Sequence, residues 1–162
     1  MNYLKLILPI SVLFITQELV AQNVQKKDLL GTWHVFKQEL KGQTILDIAN
    51  PQLMDQSVMK QLKNRNPAYT AADSIKAITK SHQYSDGVSK VYNKYEENGK
   101  MESIGPDGKP YNAVYKLNDT TGELLVHSEG TTKTEIHHIK IINGIMEDHI
   151  KALPNMVFYW KK

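Results

Sequence analysis

Residues 137–150 read HHIKIINGIMEDHI, and this stretch decides the fold. Asn143-Gly144 is the residue pair that a two-residue type I′ hairpin demands, because both turn positions need positive φ. The register then follows by counting outward. Ile142 faces Ile145, Ile141 faces Met146, Lys140 faces Glu147, Ile139 faces Asp148, His138 faces His149 and His137 faces Ile150. Alternation puts Ile139, Ile141, Met146 and Ile150 on one face, and the Lys140–Glu147 charge pair with His138 and His149 on the other. A one-residue slip would scramble both faces, so the register is well specified. The apolar face is expected to point inward. His137 and Asp148 share it as diagonal neighbours, a separation that long side chains bridge.

Four further glycine turns precede this hairpin: Asn98-Gly99, Asp107-Gly108, Thr121-Gly122 and Glu129-Gly130. Runs rich in Tyr, Val, Ile and Thr separate them, which is the rhythm of an antiparallel meander. The strands are expected at residues 89–97, 100–104, 111–117, 123–127, 132–142, 145–151 and 156–161. A two-residue loop at Asn98-Gly99 would pair Glu97 with Lys100 and Tyr95 with Glu102. In the 111–117 run, Tyr111, Ala113, Tyr115 and Leu117 share a face. Residues 29–39 (LLGTWHVFKQE) supply the first strand, with Trp33, Val35 and Lys37 on one side and His34, Phe36 and Gln38 on the other. Residues 44–47 form a short second piece. The reading is mainly β, with eight main strands. A meander hides its edges most simply by closing. With eight strands, the interior of such a barrel is filled by side chains or holds one small ligand.

Between the first strand and the meander the pattern changes period. Asn50-Pro51 suits a helix start, with an N-cap and proline at the first helical position. Leu53, Met54, Val58, Met59 and Leu62 then recur at helical spacing. Thr70 with Asp73 three residues later forms a second capping pattern, and Ala72, Ile75 and Ile78 follow it as a narrow apolar stripe. Two short helices over about residues 50–82 are therefore expected as an insertion after the first strand.

The chain has 162 residues. Lys5 followed by ten apolar residues at 6–15 (LILPISVLFI) and a polar stretch ending in Ala21 has the form of a cleavable signal peptide over residues 1–21. Ten apolar residues are too few to span a bilayer as a helix. No comparable run follows, so no membrane span is expected after signal removal. Residues 22–162 would form one domain, periplasmic or secreted. There are no cysteines, which excludes disulfides, lipid attachment at a processed cysteine and a thiol nucleophile. Net charge is +3, and the single arginine, Arg65, leaves no clustered basic patch of the kind that grips nucleic acid.

No nucleophile elbow, phosphate loop or His-Glu-x-x-His pattern occurs. Adjacent acids such as Glu96-Glu97 and Glu147-Asp148 point to opposite faces of a strand and cannot serve one substrate together. The chain reads as a non-enzyme without a cofactor. His138 and His149 oppose each other across the hairpin, but a zinc site wants three or four ligands and no third is spaced to join them. His137 and Asp148 are candidate polar anchors in a ligand cavity, or simply a satisfied polar pair.

Gly31-Thr32-Trp33 opens the first strand. It resembles the Gly-x-Trp signature of lipocalin-like domains, and the chain length and strand count match that family too. The resemblance covers about residues 29–161. It implies an up-and-down barrel in which Trp33 packs across the closed end, giving Gly31 and Trp33 structural roles. Three features differ from the family pattern: the later Thr-Asp-Tyr segment is not visible, the C-terminal arginine that packs on the tryptophan is absent, and two helices follow the first strand. Lys161 or Lys162 would have to substitute for the arginine. The helices resemble, by position, the lid of intracellular fatty-acid-binding proteins. The function expected from all this is an exported protein binding a small apolar ligand inside the barrel. Tyr111 and Tyr115 would line the wall, and Met54 and Val58 on the first helix would cover the mouth. The alternative is a protein-interaction module, of inhibitor or immunity type, with a solid core.

Overall fold

The computed structural model describes residues 24–162; the signal segment read over residues 1–21 lies outside them. A one-turn helix α1 (Lys26–Leu29) leads into β1 (Gly31–Leu40) and β2 (Gln43–Asp47). Helices α2 (Pro51–Arg65) and α3 (Ala71–Val88) follow. The meander is β3 (Tyr92–Tyr95), β4 (Lys100–Ile104), β5 (Pro110–Asn118), β6 (Glu123–Ser128), β7 (Thr134–Ile142), β8 (Ile145–Ile150) and β9 (Met156–Lys161). Neighbours from β3 to β9 pair antiparallel in sequence order, and β9 returns to pair with β1. The result is a closed eight-stranded antiparallel barrel, which fits a lipocalin-like fold. Among the described residues, no helix is long and apolar enough to cross a membrane.

One edge of β1 is shared. Its first half, from Gly31 to His34, pairs with β3, and its second half, from Lys37 to Leu40, pairs with β2. The two helices therefore follow β2, not the first strand directly as the sequence reading had it. They bridge the point where β2 leaves the wall and β3 enters it. The capping box at Thr70 and Asp73 forms as the sequence implies. Helix α3 then runs on to Val88, where the sequence reading ended it near His82. No proline or left-handed glycine stops it earlier, and Gly87 is accommodated within the last turn.

The β7–β8 register is the one counted from Asn143-Gly144, from Ile142 opposite Ile145 to His137 opposite Ile150. Asn143 and Gly144 have φ of 52° and 76°, as a type I′ turn requires. The β3–β4 turn differs from expectation. Glu96 pairs with Lys100, and Gly99 (φ 82°) donates its N–H to the Glu96 carbonyl at 3.1 Å. The loop thus has three residues with a left-handed glycine at its end. Tyr95 faces Met101 rather than Glu102, and both are buried.

The barrel is sealed at one end. Trp33 is 1 % exposed, and its Nε1–H donates to the Leu29 carbonyl at 2.7 Å. Lys162 packs on Trp33. Its Nζ lies 4.8 Å from the Trp33 ring centre and donates to the Asp28 carbonyl at 2.9 Å. Val24, Leu29, Leu124 and Met146 belong to the same buried core. Gly122 lets the backbone close on itself here: a Cβ at that position would stand 2.5 Å from the Ile139 carbonyl oxygen.

Candidate functional site

Toward the other end the barrel is hollow. A cavity of about 430 Å³ lies among the inward residues of β1, β3–β9 and the end of α3. That is the size of a site for one small molecule. Its wall is mostly apolar, with Val35, Met101, Val126 and Phe158 among the lining residues. Tyr84 and Val88 of α3 and the Gly105-Pro106 turn border it as well.

His137 and Asp148 both face this cavity. They come from neighbouring strands on the inward parity of the Asn143-Gly144 hairpin, offset diagonally. His137 Nδ1–H donates to Asp148 Oδ1 at 2.9 Å and to Oδ2 at 3.1 Å. The pair is deeply buried, with 6 % and 1 % exposure. Burial, the largest single influence, pushes the imidazole toward its neutral form. The hydrogen bond and charge of Asp148, together with Glu135, outweigh it, so the net shift of His137 is upward. Burial, with the Asp148 charge adding to it, pushes the Tyr95 hydroxyl upward, and that hydroxyl accepts from Asn93 Nδ2 at 3.5 Å.

The polar groups of the wall are largely paired with each other. Tyr84 Oη donates to Gln38 Oε1 at 2.8 Å, tying α3 to the barrel across the cavity. Ser103 Oγ donates to Asn93 Oδ1 at 2.7 Å. Two buried nitrogens stand apart: His137 Nε2 and Trp160 Nε1 have no hydrogen-bond partner among the described residues. Glu135 Oε2 is 3.7 Å from His137 Nε2, beyond hydrogen-bond reach. It is within ion-pair distance of that nitrogen, so the Trp160 N–H is the buried group of the two with no polar partner named against it.

Of the residues singled out in the sequence, His137, Asp148 and Tyr111 border the cavity. Tyr111 stands at its rim, half-exposed, with its hydroxyl donating to Asp107 Oδ1 at 3.2 Å. Tyr115 faces inward but lies outside the lining. It packs edge-on against Tyr95 at 5.2 Å, and its hydroxyl donates to the Glu96 carbonyl at 2.7 Å. Met54 is buried in the core and Val58 is half-buried on α2; neither borders the cavity. The helix that reaches over the opening is α3, through Tyr84 and Val88, rather than α2, whose closest strand is β2.

Sequence reasoning missed Gln38, Asn93, Glu135, Tyr84 and Trp160 as cavity residues. Gln38 was hidden by a bulge. On β1, Val35 pairs with Trp160 and Lys37 with Tyr159, so Phe36 is an extra residue and the parity reverses after Val35. Gln38 turns in and Lys37 turns out, the reverse of the alternation read from the sequence. Trp160 was hidden because β9 carries large apolar residues on both faces, with Phe158 and Trp160 inward and Val157 and Tyr159 between them.

On the outer face, His138 and His149 oppose each other as counted. The His149 imidazole is taken up by Glu147. Among the described residues no group of three or more His, Cys, Asp or Glu side chains is arranged to hold a metal ion.

No protein-family model matches the chain, and no curated protein matches it. One solved structure similar to it is the crystal structure of a DUF4847 family protein from Bacteroides vulgatus ATCC 8482. It has a TM-score of 0.48 and 10 % sequence identity, covering 89 % of this chain and 94 % of that one.

Proposed function

We propose that this chain is an exported lipocalin-like binding protein that holds a small, largely apolar ligand inside its barrel. The observation that carries the reading is the cavity of about 430 Å³, bounded by inward faces of the barrel strands and by α3. An apolar wall with a few convergent polar groups is the usual build of a small-molecule site. The signal-like segment at residues 6–15 supports action outside the cytoplasm.

An enzymatic reading has one point in its favour, because Asp148 orients the His137 ring as a carboxylate orients a general base. Nucleophilic catalysis would set a hydroxyl or thiol against the other ring nitrogen. His137 Nε2 has no such partner among the described residues, and the chain has no cysteine. Binding accounts for the same groups without a missing component.

The interaction-module reading also has an observation behind it. Phe36, Ile142, Ile145 and Tyr159 border a shallow groove on the outer barrel wall, with Ile142 and Ile145 well exposed. A solid core would favour that reading over the carrier, and the hollow barrel does not.

Native mass spectrometry of the protein purified from its own host tests the carrier reading. A retained non-covalent adduct in the small-molecule mass range is the expected result. Failure of the protein both to retain an adduct and to bind an uncharged apolar fluorophore such as 1-aminoanthracene overturns it.

A further inference from the structure

The ladder of the barrel has a seam. β1 pairs with β3 from Gly31 to His34, and beyond that its edge runs beside β2 instead. β3 begins at Tyr92, the partner of His34, so past this pair no ladder joins β1 to the β3–β4 hairpin. The last turns of α3 lie over the seam. On one lip, Tyr84 is bonded to Gln38 of β1. On the other, Gly87 sits against the β4–β5 turn, where a Cβ on it would stand 3.6 Å from the Pro106 carbonyl oxygen. The cavity reaches this place, because Gln38, Tyr84, Val88, Val91 and Ile104 all line it.

Helix α3 is lightly held. Val88, its last residue, is the one it buries, and Ile75 of its apolar stripe is exposed. Among the described residues, the bond from Tyr84 Oη to Gln38 Oε1 at 2.8 Å is the single hydrogen bond between α3 and a barrel strand. His82, two residues earlier, meets Asp55 of α2 and not the barrel. Elements with few buried apolar contacts open locally at low free energy, and the lids of binding sites are drawn from them. Tyr84 is 46 % exposed and Gln38 only 3 %, so the phenol reaches from the solvent side to a buried amide. Breaking one neutral hydrogen bond of this kind is a small cost that thermal motion meets often. The opposite end of the barrel is closed by Trp33 and Lys162.

Resting on the carrier reading above, we propose that the last turns of α3 are a lid over the β1–β3 seam, that the Tyr84–Gln38 hydrogen bond is its latch, and that the ligand enters and leaves the cavity when this latch opens. The latch sets how fast the ligand exchanges, while the apolar lining sets how tightly it is held.

Two measurements separate the latch from the route. Tyr84→Phe keeps the ring and removes the hydroxyl that makes the bond. In the ligand-free protein, hydrogen exchange of residues 71–88 should become about fivefold faster, with β5–β8 unchanged. With 1-aminoanthracene as the probe, uptake on mixing and release on dilution should both become about fivefold faster, leaving Kd within about twofold, because a gate acts on both directions alike. Gln38→Leu should have the same effect, and the double variant should release the probe no faster than either single one, since both remove one bond. Unchanged exchange in α3 overturns the latch. Faster exchange in α3 with unchanged probe rates overturns the route. A weaker Kd carried by release alone makes Tyr84 a wall contact and overturns the gate. Failure of 1-aminoanthracene to bind overturns the carrier reading itself, and hydrogen exchange then still decides whether Tyr84 latches α3.

Discussion

The chain has two tryptophans, and they do opposite things with the same side chain. Trp33 and Trp160 are both core residues, 1 % and 5 % exposed. Trp33 has its N–H on the Leu29 carbonyl and a lysine ammonium over its ring. Trp160 lines the cavity, and its N–H has no hydrogen-bond partner among the described residues. Burying an indole without satisfying its donor costs about 1–3 kcal/mol. At the sealed end every part of the tryptophan contributes to stability, and in the hollow part some stability is given up. The difference separates the part of the barrel that holds the fold together from the part that encloses the cavity.

The comparison can be broken most easily at the sealed end. Trp33→Ala should lose about 3–5 kcal/mol, read as a lower urea midpoint with little change in slope, because it opens a large cavity and frees the Leu29 carbonyl and Lys162. A loss under 1 kcal/mol would mean that the barrel is not closed by this residue. Gly122→Ala follows. Its Cβ would stand 2.5 Å from the Ile139 carbonyl oxygen at a φ of +68°, so a loss of about 2–4 kcal/mol is expected. Gly130, in a turn between β6 and β7, has a similar φ of +75° but nothing within 4 Å. Gly130→Ala should therefore lose only about 1 kcal/mol from the backbone conformation. Equal melting temperatures for the two variants would erase the contrast between a packed turn and a free one.

At the cavity, Asp148→Asn sharpens the comparison through pH. The folded-state pKa of His137 is raised, so its contribution to stability is fully present below about pH 6.5 and is lost as pH rises through the folded value. In the variant the strongest opposition to burial is gone. The His137 pKa, followed by NMR of the ring protons, should fall below its wild-type value, and this component of the pH dependence should shrink or reverse. An unmoved titration would show that Asp148 does not set the charge of the ring. The smallest effect is expected from Trp160→Phe. It should change stability by less than about 1 kcal/mol, since it removes an unpaired donor together with some ring surface. A loss as large as that of Trp33→Ala would mean that the Trp160 N–H has a partner after all.

Much of the candidate site was legible in one hairpin. The Asn143-Gly144 turn places His137 and Asp148 on the apolar face by parity alone, and the 2.9 Å contact follows from that placement. Tyr111 and Tyr115 also share the inward parity read from the sequence, although only Tyr111 borders the cavity. The lid reading went to the wrong helix because Met54 and Val58 show helical spacing without showing what they face. Tyr84 lies in the last turns of α3, beyond the point where the apolar stripe faded.

What the sequence by itself determined was local and periodic: the meander, the glycine turns, the β7–β8 register and the capping box of α3. Each depends on residues a few positions apart, where backbone preference and side-chain parity act without help from the rest of the chain. What only the tertiary structure decided was non-local. The bulge that turns Gln38 inward lies in the pairing of β1 with β9, a strand more than a hundred residues away in sequence. The unpaired state of the Trp160 N–H emerges only when the strands around it close and offer it no acceptor. Parity can name the residues facing the interior, but whether that interior is full is a matter of volume, settled by side chains that are far apart along the chain.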